Sequence, residues 1–587
     1  MYPAPSSSGI DLHPTPKLYA REQDKSRPPA ETVAWVRERF AQMGAELLRQ
    51  TRRIDTGRLD IPVFLSMCGA AATELTGTAK QMGKGAGPVQ AEASALMELA
   101  ERVSFFDFIK GADLPLLTYG QATEACGGRV MDFEQVALSL HHPSDDLRRA
   151  RAVFELLPQR WTWARNLTRD REEFIPLDWF YAINEYNGPA AGNCQEEAVL
   201  QSLCEVVERH VSALVWLERR RTPAIDPDSV DDPVARELLD KFSAAGIEVY
   251  LKDFTCDMGI PSVGALCWDP ATFPQKSEIV YTAGTATSPA KALIRALTEV
   301  AQLAGDFETG SNYQVSALPK FTDMDQAAYV TEAAGVVALD QLPDLGSDDL
   351  LVEVQACVAA LDQRGLSVYH LDVTHPSLGV PAVYGIIPGC HFAKRTTGTD
   401  VIFHASKLAS QLDDSRLALD VLAAMSEAAG DGPVSYYLPF FRALALLEQQ
   451  RPGDALAELD LALSLDPPPE DEASIHTQRG AALKDLECYE QAKEALRRAA
   501  GFPDPHCEVF NLLGFCHFML QEYSEAIEAF SRAIEIDPAQ AINYANIGSC
   551  LRELGQVDQA CRMYRSALEL DPTIEFARDN LKRLAGD

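Results

Sequence analysis

The sequence predicts an α/β (α+β) unit followed by an all-α repeat solenoid. Up to about residue 395, short apolar β-branched runs alternate with amphipathic helical stretches, whereas from residue 434 onward the pattern is helical only. In that second region Gly480, Gly514 and Gly548 recur every 34 residues, and Ala492, Ala526 and Ala560 keep the same interval.

In the first unit, strands are expected at Ile279–Thr282, Ser367–Val373 and Ala382–Ile387. Three helices stand out for their polar faces. The first carries Ser94, Glu98, Glu101 and Arg102 on one side, with Leu96, Leu99, Ala100 and Val103 on the other. The second places Glu197, Gln201, Glu205 and Glu208 near 0°, 40°, 80° and 20° around its axis, a stripe roughly 16 Å long. Ala198, Val199, Leu203, Val206 and Val207 back it. The third sets Arg295 one turn before Glu299, backed by Leu293, Ala296, Leu297 and Val300.

A run of acidic residues on an amphipathic helix is ordinarily a solvated face. Such a face usually interleaves Lys at i+4, because like charges at that spacing repel. No base occurs between Glu196 and Glu208. Clustered carboxylates need a compensating cation, and oxygen-only ligands suit Mg²⁺ held together with substrate phosphates. Arg102, Arg209 and Arg295 would supply fork-shaped donors to phosphate oxygens. Both readings, solvated face and metal–nucleotide site, stand on the residues alone.

Composition narrows the class. The 587-residue chain has a formal net charge of −34, which argues against sequence-independent nucleic-acid binding and against anionic membrane surfaces. No apolar run reaches the length of a membrane span. Met1–Pro16 is Pro/Ser-rich without a charged-then-apolar signal pattern, so residues 1–24 are expected to be a disordered lead-in and the location cytoplasmic. Thirteen scattered cysteines without a CxxC pair indicate neither a disulfide framework nor a zinc site. His141-His142 and His370/His375 lack partners at ligand spacing. Cys194 and Cys204 read as small buried hydrophobes. Gly83-Lys84-Gly85-Ala86-Gly87 is not a phosphate loop of the GxxxxGK[ST] type, since Gly77 is one residue too far upstream and Gly85 stands in place of Ser/Thr. Lys84 is expected on a loop near the site.

The three stripes, SxxxExxER at Ser94–Arg102, ExxxQxxxExxER at Glu197–Arg209 and RxxxE at Arg295–Glu299, resemble the ATP-binding signature of the YcaO family. Ala191-Gly192-Asn193, Asp372-x-Thr374, Pro388-Gly389, and Lys25 with Thr32 resemble that family too. The likeness covers residues 25–395. It implies a YcaO-type domain binding ATP and Mg²⁺, which activates a backbone amide oxygen by phosphorylation so that a nucleophile attacks the carbon. The product would be an azoline, a thioamide or an amidine. By the same resemblance, Glu98, Glu101, Glu205, Glu208 and Glu299 would gather Mg²⁺. Lys25, Thr32, Ser94, Asn193, Glu197, Gln201, Arg209 and Arg295 would hold the nucleotide. No catalytic group is singled out. Azoline-forming members tend to end in a proline-rich tail, whereas this sequence ends Arg583-Leu-Ala-Gly-Asp587. That departure favours thioamide chemistry with a TfuA-like partner. The alternative is an accessory role in methylthiolation of a ribosomal protein beside a methylthiotransferase, with the repeats as scaffold.

The 34-residue period of the second region resembles the tetratricopeptide repeat. Asp537-Pro538 and Asp571-Pro572 close successive copies, and a looser copy spans 438–467. Residues 396–433 are expected to be a helical linker ending in a hinge at Gly430-Asp431-Gly432-Pro433, with the repeats at 434–587. Residues 431–587 carry 14 basic and 27 acidic side chains, so a basic or apolar partner segment would suit them, as would self-association into a homodimer.

Overall fold

The computed structural model describes residues 10–44, 46–307, 321, 323–392, 399–430, 436–503 and 505–585. By contact density the chain divides into two units: Met1–Leu147 with Pro158–Val401, and Arg148–Leu157 with Ile402–Asp587.

The first unit holds three sheets. An antiparallel sheet of three strands, β1 (Leu48–Arg53), β2 (Val63–Cys68) and β3 (Lys80–Lys84), runs in the order β1-β2-β3. A six-stranded sheet is built from β4 (Leu116–Leu117), β5 (Gln159–Asn166), β6 (Arg171–Pro176), β7 (Pro189–Ala191), β13 (Tyr369–Asp372) and β14 (Ala382–Ile386). A five-stranded sheet has the order β11-β10-β9-β8-β12, from β8 (Ala224–Ile225), β9 (Glu248–Asp253), β10 (Ser262–Trp268), β11 (Val280–Thr285) and β12 (Val336–Val337). The three expected strands are therefore β11, β13 and β14, displaced by a few residues at their ends.

Each striped helix lies against a sheet by its apolar side. The Pro88–Gly111 helix packs on β2 and β3, with Leu96, Leu99, Ala100 and Val103 buried. Gly83 makes that approach possible, since a Cβ there would come 2.0 Å from the Ala95 nitrogen. The Gln195–Leu217 helix packs on β7, β11 and β14, and the Pro289–Ala304 helix on β10 and β11. Proline in the first turn of the first and third of these helices fixes φ where the missing N–H costs nothing. Burial of Ala292, Leu293, Ala296, Leu297 and Val300 against Val263 and Ala265 supplies the core of the five-stranded sheet.

Residues 10–24 are ordered, contrary to the expected lead-in; residues 1–9 lie outside the described ones. The reason is a set of specific partners. Ile10 is 5 % exposed, the Asp11 and His13 nitrogens donate to Gln195 and Glu196, and the Lys17 ammonium is 2.6 Å from Glu353. Composition records how few large apolar residues the segment has but not these distant acceptors.

The second unit is a run of antiparallel helix pairs: Tyr437–Glu448 with Pro452–Ser464, Pro469–Asp485 with Tyr489–Ala500, Cys507–Met519 with Tyr523–Ile536, and Ala541–Glu553 with Val557–Leu570, closed by Glu575–Ala585. The repeating glycines sit where paired helices touch. A Cβ would meet Leu496 at 2.5 Å from Gly480, Phe530 at 2.7 Å from Gly514 and Tyr564 at 2.9 Å from Gly548. The acidic stretch after the first pair forms the opening turn of the Pro469–Asp485 helix, where Asp471 and Glu472 face the positive end of its dipole. Helices Val401–Ser410 and Ser415–Ala429, read from sequence as linker, belong to this unit. The expected hinge at Asp431–Pro433 lies outside the described residues.

Candidate functional site

The three stripes and the ordered N-terminal segment face one cavity of about 440 Å³. All thirteen residues singled out from sequence line it: Lys25, Thr32, Ser94, Glu98, Glu101, Asn193, Glu197, Gln201, Glu205, Glu208, Arg209, Arg295 and Glu299. Sequence reasoning left out Gln23, Arg27, Lys80 and Gln302, which also line it, as does Lys84, which it placed near the site. Lys84 is a correction as well. It ends strand β3 instead of lying on a loop, and it pairs with Glu299. The flanking glycines read as a loop, and the pairing of β3 with β2 that makes the segment a strand is not recorded locally.

The electrostatics are those of a charge store. Arg102 reaches Glu98 at 2.8 Å and Glu101 at 3.5 Å, Arg209 reaches Glu205 at 3.8 Å, and Arg295 reaches Glu208 at 3.4 Å. Arg295 also donates to Gln201 at 2.6 Å, and the Thr285 nitrogen donates to Glu208 at 3.0 Å. At the far end Glu197 accepts from Asn193 and from the nitrogen and hydroxyl of Ser26, and pairs with Lys25 at 3.2 Å. Thr32 donates to the Asn193 carbonyl oxygen at 2.8 Å.

These partners do not satisfy every carboxylate equally. Burial raises the Glu205 carboxyl to about 7, opposed by Arg209 and Arg102 and reinforced by Glu98. Glu101 is pushed well above the ordinary range by burial and then by Glu98, against the pull of Arg102. Glu197 goes the other way: burial would raise it, but Lys25, Asn193 and the Ser26 nitrogen together hold it below the usual range. Burial depresses the Lys84 ammonium to about 7. Two crowded, dry carboxyls that resist ionisation form a site that a small divalent cation would relieve, and their all-oxygen donor set suits Mg²⁺. Among the described residues no three His, Cys, Asp or Glu side chains already converge as a closed metal cage.

The cysteines beside the stripe are not poised as nucleophiles. Burial raises Cys204 to about 12 and Cys194 to about 11, so neither carries appreciable thiolate near neutrality. His370 is buried and contacts Ser202, away from the cavity-lining set.

A family profile described as YcaO cyclodehydratase, ATP- and Mg²⁺-binding, matches residues 82–391. The chain belongs to the YcaO family. Its cofactors are ATP and Mg²⁺. Two tetratricopeptide-repeat profiles match residues 507–540 and 541–574, the last two helix pairs before the closing helix. An uncharacterized protein of Methanothermobacter thermautotrophicus is 32% identical over 383 residues, covering 62% of this chain and 93% of its own. A protein of Rhizobium leguminosarum bv. trifolii, described as uncharacterized and in the tfuA 3′ region, is 27% identical over 392 residues, 62% of this chain and 88% of its own. A heterocyclase solved with substrate and cofactor shares the fold with a TM-score of 0.53 and 23% identity, covering 65% of this chain. The YcaO chain spans about half, 54%, of that heterocyclase. No described helix is long and apolar enough to cross a membrane.

Proposed function

We propose that the protein uses Mg·ATP to activate a backbone amide of a peptide or protein substrate for post-translational modification of the thioamide or azoline type. The observation that carries this reading is the single cavity in which all thirteen motif residues meet, with Glu101 and Glu205 crowded and reluctant to ionise. ATP supplies a phosphoryl group to the amide oxygen, making that oxygen a leaving group. The chain's residues position and neutralise, which is most of what a protein contributes to phosphoryl transfer. Glu98, Glu101, Glu205, Glu208 and Glu299 would share the Mg²⁺ ions. Arg209 and Arg295 would turn from their carboxylate partners toward phosphate oxygens, and Lys25, Thr32, Ser94, Asn193, Glu197 and Gln201 would hold the rest of the nucleotide.

Among the described residues no cysteine lines the cavity, and burial raises the Cys194 and Cys204 thiols, so the nucleophile is assigned to the peptide or to a partner. The tfuA-adjacent relative supports the thioamide branch, with a TfuA-like protein as partner. Calorimetric titration with Mg·ATP tests the site. Glu205→Ala and Arg209→Ala should each abolish binding while the chain stays folded, and unchanged affinity in either would overturn the assignment. Product analysis tests the chemistry. A peptide that loses water indicates azoline formation, a gain of sulfur at the expense of oxygen indicates a thioamide, and ATP binding without any peptide modification returns the protein to the accessory reading.

A further inference from the structure

We propose that the buried ion pair between Lys17 and Glu353 is a positioning clamp that seats the N-terminal strap, residues 10–28, so that Lys25 reaches the nucleotide cavity. The proposal rests on the function argued above for the cavity; its first arm stands without it.

Lys17 and Glu353 are 336 positions apart in the chain, yet their side chains meet at 2.6 Å with exposures of 8% and 0%. Glu353 is prepared for the lysine. The Thr287 hydroxyl donates to the same oxygen at 2.9 Å and the Ser347 nitrogen at 3.0 Å, while Asp24, on the strap itself, pairs with Lys17 at 3.1 Å. Main-chain bonds fix the neighbouring residues: Lys17 to the Asp348 carbonyl, Leu350 to the Thr15 carbonyl, and Thr15 to the Asp349 side chain.

Beyond the clamp, the strap doubles back in a short hairpin, with Tyr19 and Lys25 exchanging main-chain bonds. Lys291 donates to the carbonyls of Ala20 and Arg21, and Glu22 accepts from the Gly87 nitrogen at the head of the first motif helix. The return limb then delivers Gln23, Lys25 and Arg27 to the cavity wall and Ser26 to Glu197. The strap has almost no apolar anchor after Ile10, and Leu18 is 67 % exposed. Its seat is therefore polar, and among the described residues the clamp is its most buried charge pair. Removing Lys17 leaves the buried Glu353 with only the neutral Thr287 and Ser347 donors, and removing Glu353 leaves Lys17 with Asp24 alone; unseating the strap relieves either loss.

A nucleotide that contacts Lys25 binds only the seated strap, so apparent affinity scales with the seated fraction. By reciprocity, the nucleotide must favour seating by the same factor. The full-length chain is tested as wild type, Lys17→Met, Glu353→Gln and Lys291→Met, the last an exchange of a partly exposed residue that leaves the buried pair intact. Hydrogen exchange over residues 10–25 is the first arm. Protection should fall at least tenfold in Lys17→Met and Glu353→Gln, and less in Lys291→Met. Calorimetric titration with Mg·ATP is the second arm. The dissociation constant should rise about tenfold in the clamp variants, equivalent to about 1.4 kcal/mol. Saturating Mg·ATP should restore protection in those variants, which a merely structural loss would not show.

Unchanged exchange in both clamp variants overturns the clamp. Raised exchange with unchanged affinity overturns its link to the nucleotide. Wild type that binds no Mg·ATP refutes the functional reading instead, and the exchange arm still decides the clamp. Should Lys17→Met not fold, Glu353→Gln, whose amide oxygen can still accept from the Thr287 hydroxyl and the Ser347 nitrogen, carries both arms, and unaltered exchange with unaltered affinity there overturns the proposal.

Discussion

Replacing Glu205 with Gln should stabilise the protein and destroy its nucleotide site in the same step. Glu205 has 15% side-chain exposure, and burial lifts its carboxyl from 4.5 to about 7. A shift of that size means the ionised form is disfavoured by roughly 3 kcal/mol relative to water. Below pH 4.5 the carboxyl is protonated in native and unfolded chains alike, and the amide gains nothing. Between 4.5 and 7 the native chain keeps a proton that the unfolded chain has released, so wild-type stability falls as pH rises through 7 and the advantage of Gln grows. Losses offset part of it. Arg209 gives up a partner at 3.8 Å but is 49 % exposed and stays hydrated, while Arg102 keeps Glu98 at 2.8 Å. A net gain of about 1–2 kcal/mol at pH 8 is expected, a rise of a few degrees in Tm. At pH 5 the gain should be near zero. Scanning calorimetry of both chains without nucleotide at the two pH values, beside titration with Mg·ATP, makes the check. A lower Tm at pH 8 together with intact Mg·ATP affinity would refute the reasoning, because it would make Glu205 an ordinary structural carboxylate.

Mg·ATP affinity should increase between pH 6 and 8, since the cation must displace protons from Glu205 and Glu101; a flat calorimetric profile over that range would contradict the raised carboxyls. Burial holds His210 and His370 near 3, so both are neutral when folded and take up protons on unfolding. Their stabilising contribution is complete above 6.5 and drains away as pH falls toward 3, at about 2.7 kcal/mol per pH unit for the two together. Urea titrations at pH 6 and pH 4.5 compare the wild type with His210→Asn and His370→Asn, because Glu205 and Glu101 change stability in the opposite sense over that window; a variant with the wild-type pH slope excludes that histidine. Gly514→Val should weaken the repeats by about 1–3 kcal/mol, because the Phe530 ring lies 2.7 Å from where the new Cβ must go. Guanidinium unfolding followed by helical signal reads it, and a loss below a few tenths would mean the helix pair accommodates the methyls.

The stripes were legible because a helix translates sequence spacing into one face without needing anything distant. Glu197, Gln201, Glu205 and Glu208 share a side of any helix of that sequence, and the missing bases already suggested a cation. What the sequence could not provide was the closure of the cavity. Lys84 enters through β3, whose close approach to Ala95 depends on Gly83, and Gln23 and Arg27 enter through a strap held by Glu353. These placements rest on pairs separated by tens to hundreds of residues, and no local period records them. Residues 10–24 depart from the expected lead-in for the same reason. Composition estimates how much apolar surface a segment can bury, and this one is seated by polar contacts instead.

The division of the chain follows the same logic. The Leu147–Phe154 helix looks, from its sequence, like one more amphipathic element of the α/β unit, and its apolar side is indeed buried, with Ala150, Val153, Phe154 and Leu157 all at 0% exposure. Yet Arg148–Leu157 clusters with the helices after Ile402, and Arg149 walls a small pocket of about 120 Å³ with Ile402, Leu438 and Pro439. Amphipathicity states which face must be covered and is silent on what covers it. The chain therefore enters the helical unit once at residue 148, returns to finish the sheets, and enters it again at residue 402. No single peptide bond separates the two units, and a boundary placed by composition at 433 falls inside the helical unit because Val401–Ser410 and Ser415–Ala429 carry the same helical periodicity as the repeats they join.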